Sequence, residues 1–147
     1  MSRTDKEQLI AHAAERFIVL AEAGSKDPAV SETPGQWGQA ATRDLEAGAT
    51  WLLTEGRASG TVGVYTATGA VRTDIVEAVV AAIGLDAVVF EAPRREQQAW
   101  FIQRFGPDVN LANIQPDGLL GLETLRRGLR ADTIGLCRAR GDLPTVS

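Results

Sequence analysis

A chain of 147 residues is long enough for one domain with its own core, and 44% apolar with 23% charged residues is an ordinary soluble balance. A net charge of −4 disfavours a sequence-independent grip on nucleic acid phosphates, and no apolar run approaches membrane-spanning length. Cys137 is alone, which excludes an internal disulfide framework and a cysteine metal knuckle, and the charged, amphipathic start has no apolar signal core, so a cytoplasmic protein is expected.

Residues 1–16 read as a leading helix. Leu9, Ile10, Ala13, Ala14 and Phe17 recur at helical spacing, with Thr4 or Asp5 as the cap. "FIVLAEAG" is a buried strand near 17–22, closed by Gly24. After a loop of Ser, Asp and Pro, the spacing of Trp37, Ala41 and Leu45 predicts a helix that ends at Gly48. "TWLLTEG" is the second strand, 50–54, and "RASGTVGVYTATGAV" a long glycine-bearing loop. Ile75, Val76, Val79, Val80 and Ile83 form a helix stripe stopped at Gly84. "AVVFEAP" is the third strand, 87–91, followed by a helix containing Gln97 to Phe105. "VNLANI" is the fourth, 109–112. "PDGLLGLETLRRGLR" is the last helix, with Leu119, Leu122, Leu125 and Leu129 on or near one side, and residues 133–147 read as a tail.

The chain is therefore expected to be a single α/β unit over 1–147, with four βα units across 17–132. Strands apolar on both faces that alternate with helices argue for parallel pairing with helices outside. No Gly-rich nucleotide fingerprint follows any strand, which speaks against an open nucleotide-binding sheet. Four units make half of a TIM-barrel-type (β/α)8 fold, and that fold carries functional residues at the C-terminal ends of its strands.

Glu22, Glu55 and Glu91 close the first three strands, 33 and 36 residues apart, and Asn113 takes the matching place in the fourth unit. Parallel strands lie ~4.8 Å apart, so three carboxylates at one level repel and at least one pKa rises unless a cation intervenes. Lys26 and Arg57 are candidate cations within the chain, and Mg2+ is the external one, suited to hard oxygen ligands. Taken singly, each glutamate is read as tying down its own loop, and Lys26 as a solvated loop lysine; three carboxylates in register argue for a shared site. Asn110 and Asn113 either hydrogen-bond an oxyanion or cap the last helix. Arg126, Arg127 and Arg130 complement the dipole at the end of that helix. His12, Glu46 and Glu123 are assigned no role.

The stretches "LAEAGSKDP", "DLEAGATWLLTEGRASG", "VVFEAPRREQQAWFIQRFGPDVNLANI" and "LETLRRGLRADT" resemble the phosphosulfolactate synthase family, from about Leu20 to Thr133. The resemblance implies a (β/α)8 barrel that adds sulfite to phosphoenolpyruvate, with Mg2+, to give (2R)-3-phosphosulfolactate. That is the first committed step of one route to coenzyme M. Homologues outside that pathway include heat-stress-associated proteins in plants.

The resemblance also implies roles. Lys26 is the general acid that protonates C2 after sulfite attacks C3, with Glu22 as the second catalytic residue. The resemblance matches Glu22, Glu55 and Glu91 to acidic strand-end positions and Arg57 to an arginine that pairs with phosphate or sulfonate; on that reading Glu55 and Glu91 are the expected Mg2+ ligands, and Asn110 and Asn113, from their own positions, are expected to bind the same substrate. Two positions depart from the family pattern: Ser25-Lys26 replaces two adjacent basic residues, and Ala58 replaces the glutamate of "GRESG". The match is to the C-terminal half, since family members carry four further βα units ahead of it. Four units cannot close a barrel. Both edge strands and an inner face bearing Leu20, Leu53 and Val89 are left uncovered, so the expected partner is a complementary N-terminal half or a second copy. A non-catalytic half-barrel module is the alternative reading.

Overall fold

Alternation of short apolar strands with glycine-stopped helices is what the chain adopts. A computed structural model describes residues 2–24, 32–134 and 136. The elements are α1 (Arg3–Ala14), β1 (Leu20–Ala23), α2 (Pro34–Glu46), β2 (Trp51–Thr54), α3 (Thr73–Ile83), β3 (Val88–Glu91), α4 (Arg95–Phe105), β4 (Leu111–Ala112) and α5 (Leu119–Arg126). The sheet has the order β1-β2-β3-β4 with every pairing parallel. Among the described residues, antiparallel pairing is limited to an isolated bridge between Tyr65 and Val71 in the loop before α3. This is part of a TIM-barrel-type fold, as the sequence predicts. No described helix is long and apolar enough to cross a membrane.

Among the described residues, only one face of the sheet is covered. Ala21, Ala23, Leu52, Thr54, Val88 and Phe90 are buried on it. They share a core with Trp37 and Ala41 of α2, Ile75, Val76 and Val79 of α3, and Phe101 and Ile102 of α4. Phe90 stacks on Phe101 with ring centroids 4.4 Å apart. The opposite face carries Leu20 and Trp51, which remain 48% and 39% exposed, and the half-buried Leu53 and Val89. Strands apolar on both faces thus hold a sheet packed on one.

Three local expectations are corrected. Ser2 caps α1, not Thr4 or Asp5: its hydroxyl accepts the Asp5 N–H at 3.1 Å, and the Asp5 carboxylate accepts the Ser2 N–H at 3.0 Å. Leu9 and Phe17 are exposed, and Ile10 is the buried residue of the α1 stripe. The helix is tied to α2 by charge instead. The Asp44 carboxylate, fully buried, lies 2.6 Å from Lys6 Nζ and 3.1 Å from Arg3 Nη2. On α5, Leu122 and Leu125 are buried while Leu119 is exposed, and Leu129, expected on the same helix, lies beyond its end and is exposed. The helix is only eight residues long and is entered through a 3-10 turn over Pro116–Gly118, so its buried stripe covers two positions. The expected tail, 133–147, begins packed: Thr133 is buried and its hydroxyl donates to the Leu125 carbonyl at 2.7 Å, while 135 and 137–147, including Cys137, lie outside the described residues.

Candidate active site

Side chains alternate across a strand, so register decides which ones meet. Glu22, the third residue of β1, pairs with Leu53, and Thr54 pairs with Phe90. Glu55 and Glu91 therefore stand side by side, one residue further along their strands, on the open face of the sheet. Glu22 points to the same face but sits one pleat lower than the shared level the sequence suggests. In the fourth unit the partner of Glu91 is Ala112, so Asn113 does not take the matching place.

The three carboxylates interact. Glu55 is only 4% exposed. Burial pushes its carboxyl above the usual carboxylate range, and a hydrogen bond with the Glu22 carboxyl, the negative charge of Glu22 and that of Glu91 push the same way. The N–H of Arg57 opposes them. Glu55 therefore holds its proton more tightly than an isolated glutamate.

The start of the loop after β2 holds the site together. Gly56 N–H donates to Glu91 Oε2 at 2.8 Å, and Arg57 N–H donates to the same oxygen at 3.0 Å and to Glu55 Oε1 at 2.9 Å. Two backbone donors on one carboxylate oxygen fix its direction. Glycine is required at 56: a Cβ there would lie 2.8 Å from the Tyr65 ring and 3.2 Å from Glu91 Cβ. Arg57 adopts φ +54°, left-handed backbone that is rare for residues other than glycine, and its side chain is exposed at the rim. Tyr65 closes the floor, its hydroxyl donating to the Glu91 carbonyl; burial first, and then Glu91, raise the phenol pKa above its usual value.

The remaining expected residues divide. Asn110 is exposed and lies level with Val89 on the open face, its carbonyl accepting Phe90 N–H at 2.9 Å. Asn113 has φ +58° and is half-buried. Neither caps the last helix, since Gln115 and Gly118 hold the cap positions of the 3-10 turn and of α5. Lys26 lies outside the described residues. The last-helix arginines do more than complement a dipole: the Arg126 guanidinium donates to the carbonyls of Pro107 and Val109, fixing the entry to β4, and Arg127 pairs with Glu123 at 2.7 Å.

Sequence reasoning missed several residues that shape this region. Asp44 lies three residues after Ala41 on the buried face of α2, a charge within an apolar stripe that was there to be seen. Tyr65, Arg94 and Gln97 act through contacts with chain segments 26 to 37 residues away, for which local patterning carries no signal.

Among the described residues, no group of three or more His, Cys, Asp or Glu is arranged as a ready metal cage. Mg2+ seldom uses one: it ordinarily takes one or two carboxylates and completes its shell with water and substrate oxygens. The adjacent Glu55 and Glu91, with Glu55 strained by neighbouring negative charge, fit that donor set.

Residues 1–132 match the family model described as (2R)-phospho-3-sulfolactate synthase (ComA). The chain is 42% identical to the phosphosulfolactate synthase of Bacillus subtilis, over 92% of this chain and 55% of that protein. It is 43% identical to the phosphosulfolactate synthase of Methanothermobacter thermautotrophicus, over 82% and 48% respectively. It is also 35% identical to Protein HEAT-STRESS-ASSOCIATED 32 of Arabidopsis thaliana, over 58% and 28%. The chain spans about half the length of the two synthases. With parallel βα units, acidic residues at their ends and a match that runs from the first residue to Asp132, the chain belongs to the (2R)-phospho-3-sulfolactate synthase family.

Proposed function

We propose that this chain carries the acidic half of a site that adds sulfite to phosphoenolpyruvate to give (2R)-3-phosphosulfolactate. The carrying observation is the convergence of Glu22, Glu55 and Glu91 on the open face of the sheet, in a chain whose relatives are named phosphosulfolactate synthase. In this reaction the sulfur lone pair of sulfite forms a bond to C3. The C2–C3 π pair moves toward C2 and the neighbouring carboxylate, and C2 then takes a proton. Nothing leaves, so the task of the site is to hold three anionic groups together and to stabilise the charge that builds beside C2.

Each residue has a part in this reading. Glu55 and Glu91 would hold Mg2+, which when bound supplies positive charge against that growing negative charge. The N–H groups of Gly56 and Arg57 keep Glu91 aimed. Glu22 raises the cost of ionising Glu55 through its own negative charge. Arg57 offers a guanidinium at the rim for phosphate or sulfonate, and Asn110 and Asn113 offer amide donors to the same anion. Lys26 is given the proton transfer to C2 by its place in the family motif. The uncovered sheet face requires a cover, which we assign to four further βα units or to a second copy of the chain.

The test is direct. The chain is incubated with phosphoenolpyruvate, sulfite and Mg2+, alone and together with the N-terminal half of the Bacillus subtilis relative, and product is followed by 31P NMR. Phosphosulfolactate formed by the pair and abolished by Glu55→Gln supports the proposal. No product in either mixture favours the non-catalytic half-barrel.

A further inference from the structure

Between β2 and α3 the chain makes a long excursion with glycines at 56, 60, 63 and 69. Glycine-rich backbone has much conformational freedom to lose, yet this segment presents two N–H groups to the carboxylates at hydrogen-bonding distance. The restraint comes from the first turn of α4. Gln97 is buried there, and its amide is fully used. Oε1 accepts the Arg94 N–H at 3.2 Å, while Nε2 donates to the Gly60 carbonyl at 2.9 Å and to the Gly69 carbonyl at 3.0 Å.

Arg94 extends the grip. Its Nε donates to the Ser59 carbonyl at 2.8 Å and its Nη1 to the Thr68 carbonyl at 3.2 Å. The loop is thus pinned on its outgoing limb at 59–60 and on its returning limb at 68–69. The fit is tight: a Cβ on Gly60 would lie 2.6 Å from Gln97 Nε2, and one on Gly69 would lie 2.3 Å from Arg94 Nη1. Gly60 N–H in turn donates to the Arg57 carbonyl at 3.1 Å, closing the turn whose first N–H sits on Glu55 and Glu91.

We propose that Gln97 is a positioning residue of the candidate site. By fixing Gly60 it fixes the Arg57–Gly60 turn, and through that turn the N–H pair of Gly56 and Arg57 that orients the Glu91 and Glu55 carboxylates. The inference rests on reading those two carboxylates as the site. A glutamine suits the task because it can accept from a helix N-terminus with one atom and donate to two carbonyls with the other.

Gln97→Glu separates the two duties. It keeps an acceptor for Arg94 N–H but sets an oxygen against the carbonyls of Gly60 and Gly69. Gly60→Ala, which forces a side chain against Gln97 and against φ +60°, perturbs the same contact from the loop side. Amide hydrogen exchange of the full chain, resolved by residue-level fragmentation in mass spectrometry, reads the result. We expect the Gly56 and Arg57 amides to exchange roughly tenfold faster in both variants, about one hydrogen bond's worth of protection. The Phe90 and Ala92 amides, bonded across β3 and β4 to Asn110 and Ala112, should keep parental rates.

Mn2+, used as the probe cation, should bind both variants about tenfold more weakly than the parent, as expected for loss of an outer-shell partner, and Glu46→Gln should not change it. Parental exchange at Gly56 and Arg57 in the variants would overturn the proposal. So would equal acceleration at Phe90 and Ala92, which would make Gln97 a part of the general fold. The expected exchange pattern in a parent chain that binds no Mn2+ would support the brace and overturn the metal-binding role of Glu55 and Glu91.

Discussion

Asp44→Asn is the substitution with the largest expected effect away from the strand ends. The Asp44 carboxylate is fully buried, 2.6 Å from Lys6 Nζ and 3.1 Å from Arg3 Nη2. Lys6 Nζ also donates to the Glu22 carbonyl at 2.7 Å, so one lysine ties α1 and α2 to the edge strand at the residue bearing a candidate carboxylate. Asparagine keeps the shape and removes the charge. Breaking a buried ion pair from one side costs about 3–5 kcal/mol. Lys6 and Arg3 keep 20% and 32% of their side chains in water, and Asp44 Oδ1 accepts no aligned hydrogen bond, so about 3 kcal/mol is expected. That is a large part of the roughly 5–15 kcal/mol that holds a domain together. With a urea dependence of about 1–3 kcal/mol/M, the unfolding midpoint at pH 7 should fall by about 1–3 M, followed by far-UV circular dichroism. Lys6→Met should cost less, because Arg3 still faces Asp44. A midpoint for Asp44→Asn equal to the parent's would refute the reasoning and mean that α1 is held by something other than this charge.

Glu55→Gln should change how stability depends on pH. The folded carboxyl is raised, so its contribution is complete below the ordinary glutamate range and is lost as pH rises through the raised value. Glutamine imitates the protonated acid, so the variant should be more stable than the parent at pH 8 and level with it at about pH 3.5, read from urea midpoints; the same pH dependence in both would count against a raised Glu55 carboxyl. In the assembled enzyme, Lys26→Ala should remove nearly all turnover, whereas Arg57→Ala should mainly raise KM for phosphoenolpyruvate, and steady-state kinetics would show if the two effects are reversed. Leu20 and Trp51 expose on the order of 200 Å² of apolar surface, about 5 kcal/mol at ~25 cal/mol per Å². The chain should therefore sediment as an associated species at micromolar concentration, and Leu20→Lys with Trp51→Lys should shift it toward monomer; a parent chain that sediments as a cooperative monomer would contradict a sheet in need of a cover.

The order of elements was legible because it depends on near neighbours. Apolar β-formers run into Glu22, Glu55 and Glu91, stripes of Val and Ile precede Gly84, and each observed strand lies within about three residues of its expected limits. Parallel pairing followed from strands apolar on both faces alternating with helices, and the glutamates could be named as candidates because strand ends carry function in such folds. Tertiary structure decided the rest. That the described residues leave one sheet face open could not be read from strands apolar on both. That Glu22 sits a pleat below the other two is a matter of register, set by hydrogen bonds between strands and not by spacing along the chain. The stripe on α1 yielded to Asp44, whose partners Arg3 and Lys6 are 41 and 38 residues away. The N–H groups that hold Glu91 come from 34 and 35 residues earlier, and Gln97 reaches back 37 residues to Gly60. Local propensity and periodicity are written in a window of a few residues; contacts of this range exist only once the strands have paired and α4 has packed beside them.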